Sequence, residues 1–313
     1  MKKPLLVIVG PTASGKTALS IELAKKYNGE IISADSMQIY KGMDIATAKP
    51  TVEEMQGIPH HLMSIIDIDK PFSVADFVML AKEKIEEIYS RGRLPIVVGG
   101  TGLYINSLID NIKFDDTSSD EQIRERLLNK AKKEGNKALL DKLYEVDPET
   151  ASQLHENNLT RIIRALEVYE LTGEKLSVHK KNSRLEESPY DTCIIGLNYE
   201  DRQKLYDRIN LRVDEMVKSG LVDEAREVYL NKNLKTACQA IGYKELIPYF
   251  NGTSSLEACI DILKQQTRRY AKRQLTWFRR DERINWIYID QNDYSKEKIF
   301  NKVVEIIENS QIL

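Results

Sequence analysis

The sequence predicts an α/β fold, a P-loop NTPase-like parallel sheet flanked by helices, with an all-helical insertion domain. Three observations carry that prediction. Residues 5–9 are a run of apolar residues without alternation, the pattern of a central parallel strand covered on both faces. Gly10-Pro11-Thr12-Ala13-Ser14-Gly15-Lys16-Thr17 follows at once and matches G-x-x-x-x-G-K-[ST] at every fixed position. A helical segment and a second short strand, residues 30–33, come next and end just before Asp35. Strand, loop, helix, strand is how a doubly wound sheet begins.

The remaining elements follow in order. The first helix covers 16–27, with Leu19, Ile21, Leu23 and Ala24 to bury. Residues 42–61 hold Pro50 and Pro59 and read as a loop. An amphipathic helix over 74–89 precedes the turn at 91–93. A fully apolar strand at 94–98 then runs into Gly99-Gly100-Thr101-Gly102. The pattern changes after Ile112. Residues 113–190 are read as a helical insertion in a core made of 1–112 and 191–313, the alternative being one larger domain with a long helical crossover. Within the insertion Leu127, Leu128, Leu139, Leu140 and Leu143 give an apolar side, and Asp147-Pro148 is a helix start. A helix over 160–171 is stopped by Gly173. Residues 180–189 are polar, expected to be mobile, and carry no assignable role. Strand character resumes at 192–197. Helices over 202–219, 221–230 and 256–280, a late strand at 284–289 and a closing helix at 297–307 complete the chain.

Composition bounds the function. The chain has 313 residues, 42% apolar and 30% charged, which suits a globular protein with a sizeable core. A net charge of −2 does not by itself advertise a nucleic-acid partner. Cys193, Cys238 and Cys259 lack CxxC spacing and neighbouring histidines, so they predict buried thiols rather than a zinc site or disulfides. The basic start, Met1-Lys2-Lys3-Pro4, precedes an apolar run too short for a signal peptide. No segment approaches the ~18 apolar residues of a membrane span. A cytoplasmic protein without membrane contact is the expectation.

In the Gly10 to Thr17 loop, backbone N–H groups and a helix N-terminus face an anion. Lys16 adds a point charge, and Thr17 offers its hydroxyl to a magnesium ion bridging phosphate oxygens. The motif specifies phosphate, not which one: ATP, GTP or a non-nucleotide diphosphate all fit. Asp35 lies just beyond a strand's carboxyl end, so it is expected in the same crevice, able to take a proton or to hold magnesium through water. A turn or helix cap is its plainer role. Beside it, Gln38 has the donor and acceptor that match an adenine edge. Thr101 lies beyond the next strand. The glycines around it suggest close approach of backbone to a ligand, or a tight turn. His60-His61 fits a loop or a supporting polar role better than a metal site.

Basic charge collects late. Between residues 264 and 283 there are eight Lys or Arg and only Asp281 and Glu282 to oppose them. Arg269, Lys272, Arg273 and Arg280 fall near one helical stripe, suited to phosphates of a nucleic acid or a small polyphosphate, or simply to solvent. Tyr270, Trp277 and Phe278 among them are read as packing residues. Arg124, Arg126, Lys130, Lys132 and Lys133, with Arg161 and Arg164, form a second basic set. Arg208 and Arg212, four apart, share a helix face and can jointly meet a diphosphate.

These segments together resemble the tRNA dimethylallyltransferases, or isopentenyl-diphosphate:tRNA transferases, of the bacterial type. The likeness rests on GPTASGKT at 10–17, SADSMQIYKGMDIATAKP at 33–50, PHHL at 59–62 and VVGGTGLY at 97–104. TRIIRALEVY at 160–169, IGYKE at 241–245 and RRYAKRQLTWFRR at 268–280 extend it over most of the chain. The resemblance implies transfer of a dimethylallyl group from dimethylallyl diphosphate to N6 of adenosine 37 in tRNAs reading codons that begin with U. It implies that the loop holds the donor's diphosphate, although members are often labelled ATP-binding. By residue match, Asp35 is the general base, and Thr101 positions the amine. Ser36, Met37 and Gln38 flank the flipped adenine. Arg124, Thr160, Arg161, Ile162, Ile163 and Arg164 match tRNA contacts of the insertion, which would grip the anticodon stem. Gln239, Gly242, Lys244, Arg269, Lys272 and Arg273 match further tRNA-facing positions. Mg2+ is the implied cofactor, and a monomer the expected state. Two other readings stay open on the residues alone: a small-molecule or nucleotide kinase, and a nucleotide-driven RNA-binding switch.

Overall fold

Residues 2–114, 120–230 and 240–312 are described by the structure, a computed structural model. Six strands, all parallel, form one sheet: β1 Lys3–Val9, β2 Gly29–Ser33, β3 His60–His61, β4 Leu94–Gly99, β5 Tyr190–Asn198 and β6 Ile284–Tyr288. Their order is β3-β2-β4-β1-β5-β6. The central strand β1 shows why its sequence does not alternate. Leu5, Val7 and Val9 enter one core, while Leu6 and Ile8 enter another on the opposite face. All five are fully buried. Phe77, Ala81 and Ile85 of the helix Val74–Ser90 and Tyr104, Ile105 and Leu108 of Gly102–Ile109 cover the first face. Leu19, Ile21 and Leu23 of Lys16–Lys26 and Ile299, Val303 and Ile307 of Lys296–Asn309 cover the second. Two further helices, Arg202–Lys218 and Leu256–Phe278, contribute to both cores.

Contacts divide the chain into two compact units, Met1–Ile109 with Pro189–Leu313, and Asp110–Ser188. The second unit is helical: Glu121–Glu134, Asn136–Val146, Pro148–Ala151, Leu159–Thr172 and Leu176–Asn182. Its core is built from Leu127, Leu139, Leu143, Ile162, Ile163 and Leu166, among others. At its centre the carboxylate of Glu167, with no solvent exposure, is shared by Arg124 (2.8 Å) and Arg164 (2.7 Å) and accepts the N–H of Asp120 at 2.8 Å.

The structure departs from the sequence reading in definable places. The stretch read as loop, 42–61, contains a helical turn, Val52–Met55, started by a Thr51/Glu54 capping box. It also contains β3, paired to β2 through Ile31↔His60 and Ile32↔His61. Two polar rings do not read as a strand. They form one because the backbone completes an edge ladder and His61 Nε2 meets Glu30 Oε2 at 2.6 Å. Part of the stretch expected to be mobile, 180–189, lies in the helix ending at Asn182. Arg280 falls beyond the long helix, which ends at Phe278, so it leaves the stripe drawn through Arg269, Lys272 and Arg273. Cys193 and Cys259 are buried free thiols, whereas Cys238 lies outside the described residues.

Glu30 is a buried carboxylate gathering Arg91, Arg93 and His61 where β2, β3 and β4 lie side by side. Burial pushes its pKa up, but hydrogen bonds from Arg91 and His61 outweigh burial and hold it at about 2. A carboxylate depressed in the fold stabilises it fully above the unfolded value, and that stabilisation is lost as pH falls through the folded one. The urea midpoint is therefore expected to fall between about pH 4.5 and 2, with a shallower fall in Glu30→Gln. Equal slopes in the two proteins would remove this role from Glu30.

Candidate active site

Parallel strands place the loops that follow them at one edge of the sheet, and here three such loops are laced together. Thr101 N donates to Ala34 O at 3.3 Å, and Ser36 N donates to Thr101 Oγ1 at 3.1 Å. Asp35 Oδ1 accepts the N–H groups of Met37 (2.9 Å) and Gln38 (3.4 Å), so the carboxylate is fixed by its own turn. The loop after β1 and the stretch 35–38 after β2 line one cleft of about 1480 Å³, together with Arg208, Arg212, Tyr270 and Arg273.

The loop after β1 runs straight into a helix N-terminus. Gly15 sits in the left-handed region at φ 80° and starts the helix Lys16–Lys26. Lys16 Nζ folds back to donate to Gly10 O at 3.0 Å and Pro11 O at 2.7 Å. Burial lowers the Lys16 pKa to about 7, helped by the Arg212 cation and opposed by the Asp35 charge. Arg212 is likewise lowered by burial and raised by Asp35, and its Nη1 donates to Thr12 Oγ1 at 3.5 Å. Asp35 thus acts electrostatically on both cations of the loop side. Arg208 lies beside the buried Tyr199 on the cleft wall. Lys16, Arg208, Arg212 and a helix N-terminus on one cleft suit a diphosphate.

One expectation is refined and two need correction. The glycines around Thr101 pack tightly on protein, for an added Cβ would lie 2.1 Å from Ala34 O at Gly99, 2.0 Å from Gln274 Nε2 at Gly100 and 2.2 Å from Trp277 at Gly102, while Gly99 and Gly100 also line the cleft. The Gln38 amide is spent internally, donating to Thr47 O (3.1 Å) and Ala48 O (3.4 Å) and accepting from Ser33 Oγ (2.8 Å), so it has no free edge for a base. Ile162 and Ile163 are core residues, which leaves Thr160, Arg161 and Arg164 as the outward side chains of that stretch.

Residues overlooked in the sequence complete the site. Gln274 Oε1 accepts Thr12 N at 2.9 Å while its Nε2 donates to Gly100 O at 3.0 Å, tying the loop after β1 to the loop bearing Thr101. Its signal was available: 271, 274, 275 and 278 form the buried stripe of the Leu256–Phe278 helix, and Gln274 is the one amide on it. Tyr270, read as packing, is half-buried on the cleft beside Thr101 and Gln274. Burial and the Asp35 charge raise its pKa. On the same helix Arg269, Lys272 and Arg273 are exposed and, among the described residues, have no acidic partner. Arg273 sits 5.6 Å from the Tyr270 ring. Gly242 and Lys244 line the cleft, Lys244 lying 3.8 Å from Glu245, and Gln239 lies outside the described residues.

Among the described residues no cluster of three His, Cys, Asp or Glu forms a metal cage. Magnesium commonly keeps several waters and takes one or two protein ligands beside phosphate oxygens. The Thr17 hydroxyl at the cleft wall fits that partial donor set.

The parallel sheet, the loop closing on a helix N-terminus and the carboxylate facing it define an α/β protein of the P-loop type. The family model described as IPP transferase matches residues 38–281. A tRNA dimethylallyltransferase of Thermoanaerobacter sp. (strain X514) is 52% identical over 302 residues, 95% of each chain. One of Halalkalibacterium halodurans is 50% identical over 98% of this chain and 96% of its own. Among solved structures, the full-length tRNA isopentenylpyrophosphate transferase of Bacillus halodurans superposes with a TM-score of 0.72 at 48% identity, covering 99% of this chain and 98% of its own. A eukaryotic dimethylallyltransferase acting on tRNA gives a TM-score of 0.75 at 37% identity over 88% and 70%. The chain belongs to the IPP transferase family.

Proposed function

We propose that this protein is a tRNA dimethylallyltransferase. It moves the dimethylallyl group of dimethylallyl diphosphate to N6 of adenosine 37 in tRNAs reading codons that begin with U. The observation that carries the reading is that Asp35 and the anion-binding loop line one cleft, with Thr101 bonded to the residue after Asp35. The bond from N6 to the allylic carbon forms as the bond from that carbon to the diphosphate oxygen breaks. Asp35 takes the N6 proton, and Thr101 orients the amine. Lys16, Arg208, Arg212 and the loop N–H groups offset the charge gathering on the leaving diphosphate. Magnesium, held by Thr17, supplies further charge neutralisation when bound.

The adenosine must leave its stack to enter the cleft, which costs a few kcal/mol and less in a loop than in a duplex. Arg269, Lys272 and Arg273 present an exposed cationic face suited to the RNA backbone. In the helical unit Thr160, Arg161, and Arg124 and Arg164 held by Glu167 serve the anticodon stem. No helix among the described residues is long and apolar enough to cross a membrane, and tRNA as acceptor fits a cytoplasmic site of action.

The test is incubation of purified protein with unmodified tRNA, dimethylallyl diphosphate and magnesium, without ATP, read by nucleoside mass. N6-dimethylallyladenosine at position 37 is the expected product. No product, or ATP consumption tied to a small acceptor, defeats the reading.

A further inference from the structure

The segment 42–50 has no regular secondary structure, yet it walls the cleft with Ala46, Thr47, Ala48 and Pro50. Its own turn bonds, Ala48 N–H to Ile45 O at 2.9 Å and Lys49 N–H to Asp44 O at 3.0 Å, shape it, and a side chain from outside the segment holds it in place. The N–H groups of Asp44, Ile45 and Ala46 converge on one carboxylate: Glu224 Oε2 accepts from Asp44 (2.8 Å) and Ile45 (2.7 Å), and Oε1 accepts from Ala46 (2.9 Å). Tyr243, almost fully buried, donates its hydroxyl to Glu224 Oε1 at 2.8 Å. Consecutive N–H groups that converge in this way make an anion-binding nest, and here the protein fills it with its own carboxylate. Gly242 closes the same joint. Its φ is +109°, and an added Cβ would stand 2.8 Å from Ala46 Cβ.

The far end of the segment reaches the reacting groups. Thr47 O (3.1 Å) and Ala48 O (3.4 Å) accept from Gln38 Nε2. Gln38 in turn gives its backbone N–H to Asp35 Oδ1. An unbroken chain of bonds therefore runs from Glu224 through the segment to Gln38 and Asp35. None of these bonds touches the loop 10–17.

We propose that Glu224 is a positioning residue for the acceptor side of the reaction. By clasping residues 44–46 it fixes the segment and, through Gln38, the carboxylate that meets the acceptor amine. This rests on the transfer to tRNA proposed above. Misplacing a reacting group by about 1 Å costs on the order of 10²-fold in rate. A loosened clasp displaces Asp35 without removing any group that touches substrate.

Glu224→Ala removes the clasp, and Glu224→Gln keeps its size while turning an NH₂ group toward backbone N–H groups. Both are expected to speed amide hydrogen exchange at 44–46. Both should lower kcat/KM for tRNA by about 10- to 100-fold. The affinity for a non-transferable thiodiphosphate analogue of the donor should stay within about twofold. Tyr243→Phe removes one of four donors and should move the same readouts a few-fold. Faster exchange at 44–46 with an unchanged kcat/KM for tRNA overturns the proposal, and so does an equal loss of donor affinity. Should the Glu224 variants not fold, a folded Tyr243→Phe with faster exchange but wild-type kinetics overturns it equally. Failure of the transfer reading looks different, because the wild-type protein would then yield no prenylated tRNA at all.

Discussion

An Asp35→Asn variant is expected to lose about 10²- to 10⁴-fold in turnover while binding tRNA as the parent does. The substitution is clean for a structural reason. Asp35 Oδ1 accepts the N–H groups of Met37 and Gln38, and an asparagine Oδ1 accepts them equally well. The turn therefore survives, as does the N–H of Ser36 on Thr101. What is lost is the ability to take a proton from the acceptor amine, together with a negative charge near Lys16 and Arg212. The expected loss corresponds to about 3–5 kcal/mol of barrier. Single-turnover transfer with donor and tRNA saturating, beside a tRNA-binding titration, checks it. Turnover within about tenfold of the parent would remove Asp35 from the chemistry and favour a nucleotide-driven RNA-binding switch.

Lys16→Met is expected to lower kcat/KM for the donor by about 10²- to 10³-fold, with tRNA affinity unchanged. Methionine keeps the length and apolar stem but removes the charge. Lys16 Nζ donates to Gly10 O and Pro11 O, so the loop itself fixes the ammonium. Burial and the neighbouring Arg212 make that charge costly, and a leaving diphosphate is the partner that relieves the cost. Lys16→Arg is expected not to rescue, since a planar fork does not fit a niche shaped by two backbone carbonyls. Steady-state kinetics varying the donor at saturating tRNA separates this defect from that of Asp35→Asn. A Lys16→Met enzyme with parental donor kinetics would place the diphosphate elsewhere.

How legible all this was varies with the kind of signal. Central strands declare themselves because a parallel strand buried on both faces needs apolar residues at every position, as Leu5, Leu6, Val7, Ile8 and Val9 do. The edge strand His60–His61 stayed hidden because its bonds are made by backbone and by Glu30, which lies 31 residues before His61. Ile162 and Ile163 resemble RNA-contacting positions in their motif, yet the helix they lie on turns them into the core. Gln38 shows the same limit. Its amide has the right chemistry for a purine edge, but Thr47, Ala48 and Ser33 already use it.

By itself the sequence determined the elements whose cause is local: the loop with Gly15 at positive φ, the apolar strands, and Asp35 and Thr101 just past strand ends. Because parallel strands share one carboxyl edge, those local facts were enough to place Asp35 on one cleft with the loop after β1, and Thr101 beside Ser36. Only the tertiary structure decided which polar groups remain free and which are consumed. That question depends on partners such as Gln274, 262 residues from Thr12, and Glu224, 180 residues from Asp44. Hydrogen bonds act over about 3 Å, whatever the separation along the chain, so no spacing rule reveals them.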